Sequence, residues 1–123
     1  MDEIWLVLFV VNLSLLFVHE MDAVKNREWR MFIILKNMED EKAGRIFQVL
    51  HIPLYAAVLL LLLSPARQVM FYVLDIFLIL HAGIHFCFRH YENNAFTSVF
   101  SNLVIYIMGA VAAVHLAGTC LTA

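Results

Sequence analysis

Hydrophobic residues do not alternate with polar ones along this chain; they gather into four long runs, each closed off by charged or small polar residues. The runs extend from Ile4 to about Val24, from Ile46 to Leu63, from Val69 to Phe88 and from Phe96 to Leu116. Each is close to the roughly 20 residues that an α-helix needs to cross the hydrocarbon core of a bilayer. Stretches such as Val58 to Leu63 lack the two-residue alternation of a barrel strand, and helices are the other structure that satisfies every backbone polar group in lipid. The pattern predicts an all-α integral membrane four-helix bundle, one transmembrane domain over residues 1–123.

Composition narrows the class further. At 63% hydrophobic and 15% charged, with a mean hydropathy of +0.85, the chain has more apolar surface than one small water-soluble core can bury. The first run is expected to stay in the membrane rather than be cleaved as a signal. It opens Met1-Asp2-Glu3 where a signal carries positive charge, and it leads into His19-Glu20-Met21-Asp22 instead of a small-residue cleavage site. Lys25, Arg27, Arg30, Lys36, Lys42 and Arg45 crowd the first connection and Arg89 lies in the third, whereas the second carries Arg67 alone. By the positive-inside rule the first and third connections face the cytoplasm and both termini lie outside it. The net charge of −2 leaves no nucleic-acid footprint. Cys87 and Cys120 fall at opposite ends of the bundle, too far apart for a disulfide.

The first connection is too patterned to be a tether. Trp29, Met31, Phe32, Ile33 and Leu35 interleave with Arg27, Glu28, Arg30 and Lys36, which predicts a short interfacial helix lying in the headgroup layer and roofing one end of the bundle, with Trp29 as its anchor. Asp40 and Glu41 then suit the N-terminus of the second helix.

Polar residues inside the spans carry the chemistry. With Lys25, Arg45 and Arg89 as edge markers and a rise of about 1.5 Å per residue, His19, His51, His81 and His85 share one layer roughly 6 to 12 Å below the cytoplasmic edge. His81 and His85 are i and i+4, and His19 and Asp22 are i and i+3, so each pair shares a helix face. Imidazole and carboxylate are ligands of zinc, iron and manganese. The candidate metal ligands are therefore His19, Asp22, His51, His81 and His85, with Glu20 as the catalytic proton shuttle. Ionisable groups are costly in lipid and rarely cluster there without a function, which weighs against a purely structural polar cluster. Glu28, Gln48, Tyr55 and Asn102 are candidates for the surrounding shell that orients the ligands. Asp75 and His115 lie near the other end, where Asp75 can pair with His115 or Arg67. A divalent transition metal follows as the cofactor, zinc first and iron second. Haem b fits poorly, because Glu20 and Asp22 are unusual neighbours for a porphyrin edge and bis-histidine ligation leaves two histidines unused.

The segments His19-Glu20-Met21-Asp22-Ala23, Glu28-Trp29 and Leu50-His51-Ile52-Pro53-Leu54, with the His81 to His85 pair, resemble the signature of an uncharacterised family of small bacterial four-helix membrane proteins. The resemblance implies a bacterial inner-membrane location and supplies no reaction. The gathered histidines are also similar, more distantly, to those of ceramidase-type membrane zinc hydrolases and of membrane di-iron lipid oxygenases. This chain is shorter than both and has fewer histidines than the iron enzymes. Two functions compete: a metal-dependent zinc hydrolase acting on a lipid or amphiphile, and a non-enzymatic metal-binding or redox subunit of a larger membrane complex or homo-oligomer. A di-iron or haem oxidoreductase is the further alternative.

Overall fold

The computed structural model describes residues 3–122 and contains four long helices: α1 (Glu3–Lys25), α2 (Asp40–Leu62), α3 (Arg67–Cys87) and α4 (Val99–Thr122). There is no strand among the described residues. All four helices are long and apolar enough to cross a membrane, and they run alternately up and down. One end of the bundle carries the α1–α2 and α3–α4 connections; the other carries the tight α2–α3 turn, the start of α1 at Glu3 and the end of α4 at Thr122.

The helices overrun the apolar runs where charge permits. α2 begins at Asp40 rather than Ile46, because Asp40, Glu41, Lys42 and Arg45 keep helical geometry outside hydrocarbon and place two acids at the positive end of the helix dipole. α1 continues to Lys25, so Glu20 and Asp22 are helical residues. α4 runs on to Thr122, beyond Leu116.

The first connection winds into a short 3-10 helix of one turn, Glu28–Met31, followed by irregular turns. Trp29 is buried under this strap, while Ile33 and Ile34 stand out from the protein. The strap thus covers one end of the bundle through Trp29 and leaves Ile33 and Ile34 exposed.

Lipid tails are as apolar as leucine, so helices in a bilayer associate through close van der Waals fit more than through hydrophobic transfer. α4 is central and packs against both α1 and α3. At the α3–α4 crossing a Cβ on Gly109 would lie 2.7 Å from the Cβ of Ala82, so only glycine permits that approach. Phe9, Leu13, Phe71, Leu78 and Met108 fill the core on the side of the termini, and Ala23, Trp29, Phe47, Phe96 and Ile105 fill it on the strap side. α2 leans on the other helices instead of inserting among them, burying only Ala43, Gly44, Phe47 and Val58. Pro53 also frees the carbonyl of Val49 halfway along α2. The looser fit of α2 leaves the cavities in which the polar residues meet.

Candidate metal centre

His19 on α1 and His81 and His85 on α3 converge at the strap end, and Glu28 on the 3-10 turn closes the set from above. Adjacent helix turns bring His81 and His85 to one face of α3, and α1, which runs toward the strap in the same direction as α3, carries His19 to the same depth. The Nε2 atoms of His19 and His81 are 2.8 Å apart. Glu28 Oε1 lies 3.1 Å from His85 Nε2, 3.9 Å from His81 Nε2 and 4.0 Å from His19 Nε2, and one ligand atom from each residue fits within 4.8 Å of the others. Four donors about 2.0–2.1 Å from a tetrahedral zinc ion are separated by about 3.3 Å from one another, so shifts of a fraction of an ångström to about an ångström convert this arrangement into a coordination shell. His19 is fully buried and Glu28 is only 4% exposed.

The donors fit a cation for a further reason. Where two imidazole Nε2 atoms face each other at 2.8 Å, one must turn an N–H toward the lone pair of the other, whereas a metal ion satisfies both lone pairs together. The Nδ1 atom of His19 is buried without a protein partner, as is Asp22 Oδ2. Burial alone would raise the Glu28 carboxyl, but the hydrogen bond from His85 and the fields of the three histidines outweigh it and hold the carboxyl below its usual range.

The strap delivers Glu28 through a clasp at Asp40. Arg27 takes the left-handed conformation, φ 52° and ψ 54°, costly for a residue with a Cβ, and so turns the chain back over α1. Its guanidinium donates to Asp40 Oδ2 at 3.1 Å. Arg30 Nε donates to Asp40 Oδ1 at 3.0 Å, and a second Arg30 nitrogen pairs with Oδ2. Trp29 Nε1 donates to Oδ1 at 3.2 Å. The indole lies flat enough on α2 that a Cβ at Gly44 would be 3.1 Å from it. Three of four consecutive strap residues, Arg27, Trp29 and Arg30, are therefore tied down by one carboxylate, with Glu28 between the two arginines.

His51 and Glu20 stand beside this group and not within it. His51 Nε2 is 2.9 Å from Glu20 Oε2, while His51 Nδ1 donates to the Phe47 carbonyl at 2.6 Å. A carbonyl only accepts, so Nδ1 carries a proton and leaves Nε2 facing the carboxylate. Glu20 and His51 thus face each other beside the cluster, with Glu20 Oε2 buried and in contact with the imidazole but not hydrogen-bonded to it. The Tyr55 ring lies 5.6 Å from that of His51 and 5.1 Å from that of Phe17, and exposed Gln48 lines the same opening between α1 and α2. Asn102 reaches none of these groups. Its amide donates to the carbonyls of Phe96 at 3.2 Å and Ser98 at 3.0 Å, holding the turn that sets Phe96 against the rings of His19 and His85.

Of the five expected ligands, then, the structure brings His19, His81 and His85 together, pairs His51 with Glu20, and leaves Asp22 outside the group of four. Glu28, expected in the surrounding shell, takes a place among the donors. At the opposite end Asp75 pairs with His115, whose Nδ1 lies 2.6 Å from Asp75 Oδ2, and not with Arg67.

Residues 5–122 match the profile of DUF6713, described as a family of unknown function. The chain belongs to that family. No curated protein and no solved structure matches it. Membership of DUF6713 agrees with the resemblance to an uncharacterised family and assigns no reaction, so the chemistry must be argued from the site.

Proposed function

We propose that this protein is a membrane-embedded, metal-dependent hydrolase of a lipid or amphiphile, with zinc the favoured metal and iron second, its site near the cytoplasmic face. The observation that carries the proposal is a buried three-histidine, one-carboxylate donor set beside a separate Glu20–His51 pair: Glu28, His81 and His85 of the set and both members of the pair line one cavity of ≈ 350 Å³. A bound zinc ion would supply a water of lowered pKa and polarise an acyl carbonyl. His19, His81 and His85 would hold the ion, and Glu28 would neutralise part of its charge. Glu20, 2.9 Å from His51 and facing the same cavity, is placed to take a proton from an attacking water and would return it to the departing oxygen or nitrogen as the acyl bond breaks. Water and ester or amide are thereby converted to carboxylic acid and alcohol or amine.

One observation favours a second reading. If Glu28 binds directly and the ion stays four-coordinate, three imidazoles and a carboxylate fill a tetrahedral shell, as in structural sites, with no fifth position for water, and the protein is then a non-enzymatic metal-binding or redox subunit of a membrane complex. Single-turnover hydrolysis of chromogenic acyl esters by zinc-loaded protein in detergent separates the two. The hydrolase reading expects turnover that falls by a factor of 100 or more in Glu20→Gln while zinc stays bound. Stoichiometric zinc without turnover of esters or amides favours the subunit.

A further inference from the structure

Glu20 lines not one cavity but three. The polar cavity just described shares Glu20, Leu54 and Phe77 with a second one of ≈ 370 Å³. That second cavity runs between α1, α2 and α3 toward Ala66, at the end of the bundle away from the strap, and Glu20 and Tyr55 are its only polar lining residues. A third cavity, between α1 and α2, opens from Glu20 and His51 past Val24 and Gln48. One carboxylate therefore marks the junction of a polar chamber, an apolar slot and an opening.

We infer that the apolar slot holds the single hydrocarbon chain of an amphiphile whose polar head lies at the junction, against the Glu20–His51 pair and the histidine cluster. The inference deepens the hydrolase reading by naming its substrate class and rests on that reading for the head-group chemistry. Along α3 the slot is lined from Val69 to Phe77, a length of about 12 Å at about 1.5 Å per residue. A zigzag chain of C–C bonds of about 1.5 Å advances about 1.3 Å per bond, so the slot takes about nine or ten carbons. Its volume and narrow course between three helices suit one chain, not two. The slot exists because α2 does not close on α1 and α3: Ala57 presents only a methyl group to it, and Val58 is the one buried side chain in that half of α2. The polarity gradient along the lining sets the direction, tail toward Ala66 and head toward Glu20.

The test uses the metal-free protein, so that it is independent of metal binding. A fatty-acid probe of about ten carbons with an alkyl diazirine at its tail end is photolysed with the full chain in detergent, and the labelled peptides are mapped by mass spectrometry. Label is expected between Leu61 and Met70, is expected to be competed by excess decanoic acid and not by a two-chain phosphatidylcholine, and should fall at least fivefold in Ala57→Phe and in Val73→Phe, which narrow the slot from opposite walls. Lipid-facing Ile76 and Ile107 serve as controls. If one variant misfolds, the other decides. Label spread evenly over Ile76, Ile107 and the slot, or unchanged in a folded variant, or competed equally by the two-chain lipid, overturns the inference. In that case zinc binding and ester turnover still decide the hydrolase reading by themselves.

Discussion

Replacing Glu28 by glutamine keeps the side chain's length and shape while removing the only anionic member of the donor set. Structural zinc sites gain about 10–16 kcal/mol of apparent binding free energy from four ligands, so an average ligand contributes about 3 kcal/mol, and at about 1.4 kcal/mol per factor of ten its loss weakens binding roughly 100-fold. Glu28 should exceed the average. It is 4% exposed, and without it a dication faces three neutral imidazoles in a site from which water is largely excluded, where an uncompensated charge is strongly destabilised. Glu28→Gln is therefore expected to weaken zinc binding about 100- to 1,000-fold. Glu20→Gln makes the same chemical change at the neighbouring carboxylate, which faces His51 at 2.9 Å and not the cluster, and should stay within about tenfold of the wild type. Competition for zinc against a chelator of known affinity, in detergent and at one pH, gives both ratios, and circular dichroism verifies helix content. Equal losses in the two variants, or an unchanged Glu28→Gln, would refute the assignment of Glu28 to the donor set.

Other changes report on neighbouring parts of the account. Asp40→Asn loosens the clasp on Arg27, Trp29 and Arg30 and should weaken zinc binding about tenfold with helix content intact, read in the same competition assay. Gly109→Ala drives a methyl group into Ala82 and should destabilise the bundle by about 1–3 kcal/mol, whereas Gly83→Ala, whose Cβ meets nothing within 4 Å, should be neutral or stabilise by up to about 1 kcal/mol; SDS-induced unfolding measures both. Asp75→Asn breaks the buried pair with His115 and should cost about 1–3 kcal/mol in that assay while leaving zinc affinity unchanged.

The hydrophobic pattern was enough to find the four spans, because membrane helices must satisfy their backbone internally over a known length. It did not find their ends: hydropathy detects hydrocarbon, and a helix such as α2 can begin among charged residues at Asp40. Depth and i, i+4 spacing were enough to gather His19, His81 and His85. They could not separate His51 from that set, since depth says nothing of the direction a side chain takes around its helix, and α2 turns His51 toward Glu20 and the Phe47 carbonyl. Asp22 shows the same limit, sharing a face with His19 without reaching its partners. Glu28 was visible as a candidate but not its aim, which depends on a left-handed Arg27 and on an aspartate more than ten residues away. Such long-range ties leave little local signal, although paired arginines flanking a Glu-Trp step and an acid opening the next helix are its trace.

The most direct test is metal content. The protein, purified in detergent without added metal or a histidine tag, is analysed by plasma mass spectrometry beside His81→Ala, His85→Ala and His115→Ala. The account predicts close to one transition-metal ion per chain in the wild type and in His115→Ala, and loss of most of it in His81→Ala and His85→Ala. Equal metal content in all three variants, or no metal in the wild type even after reconstitution with zinc or iron, would contradict it and leave the histidines as a structural or proton-handling cluster.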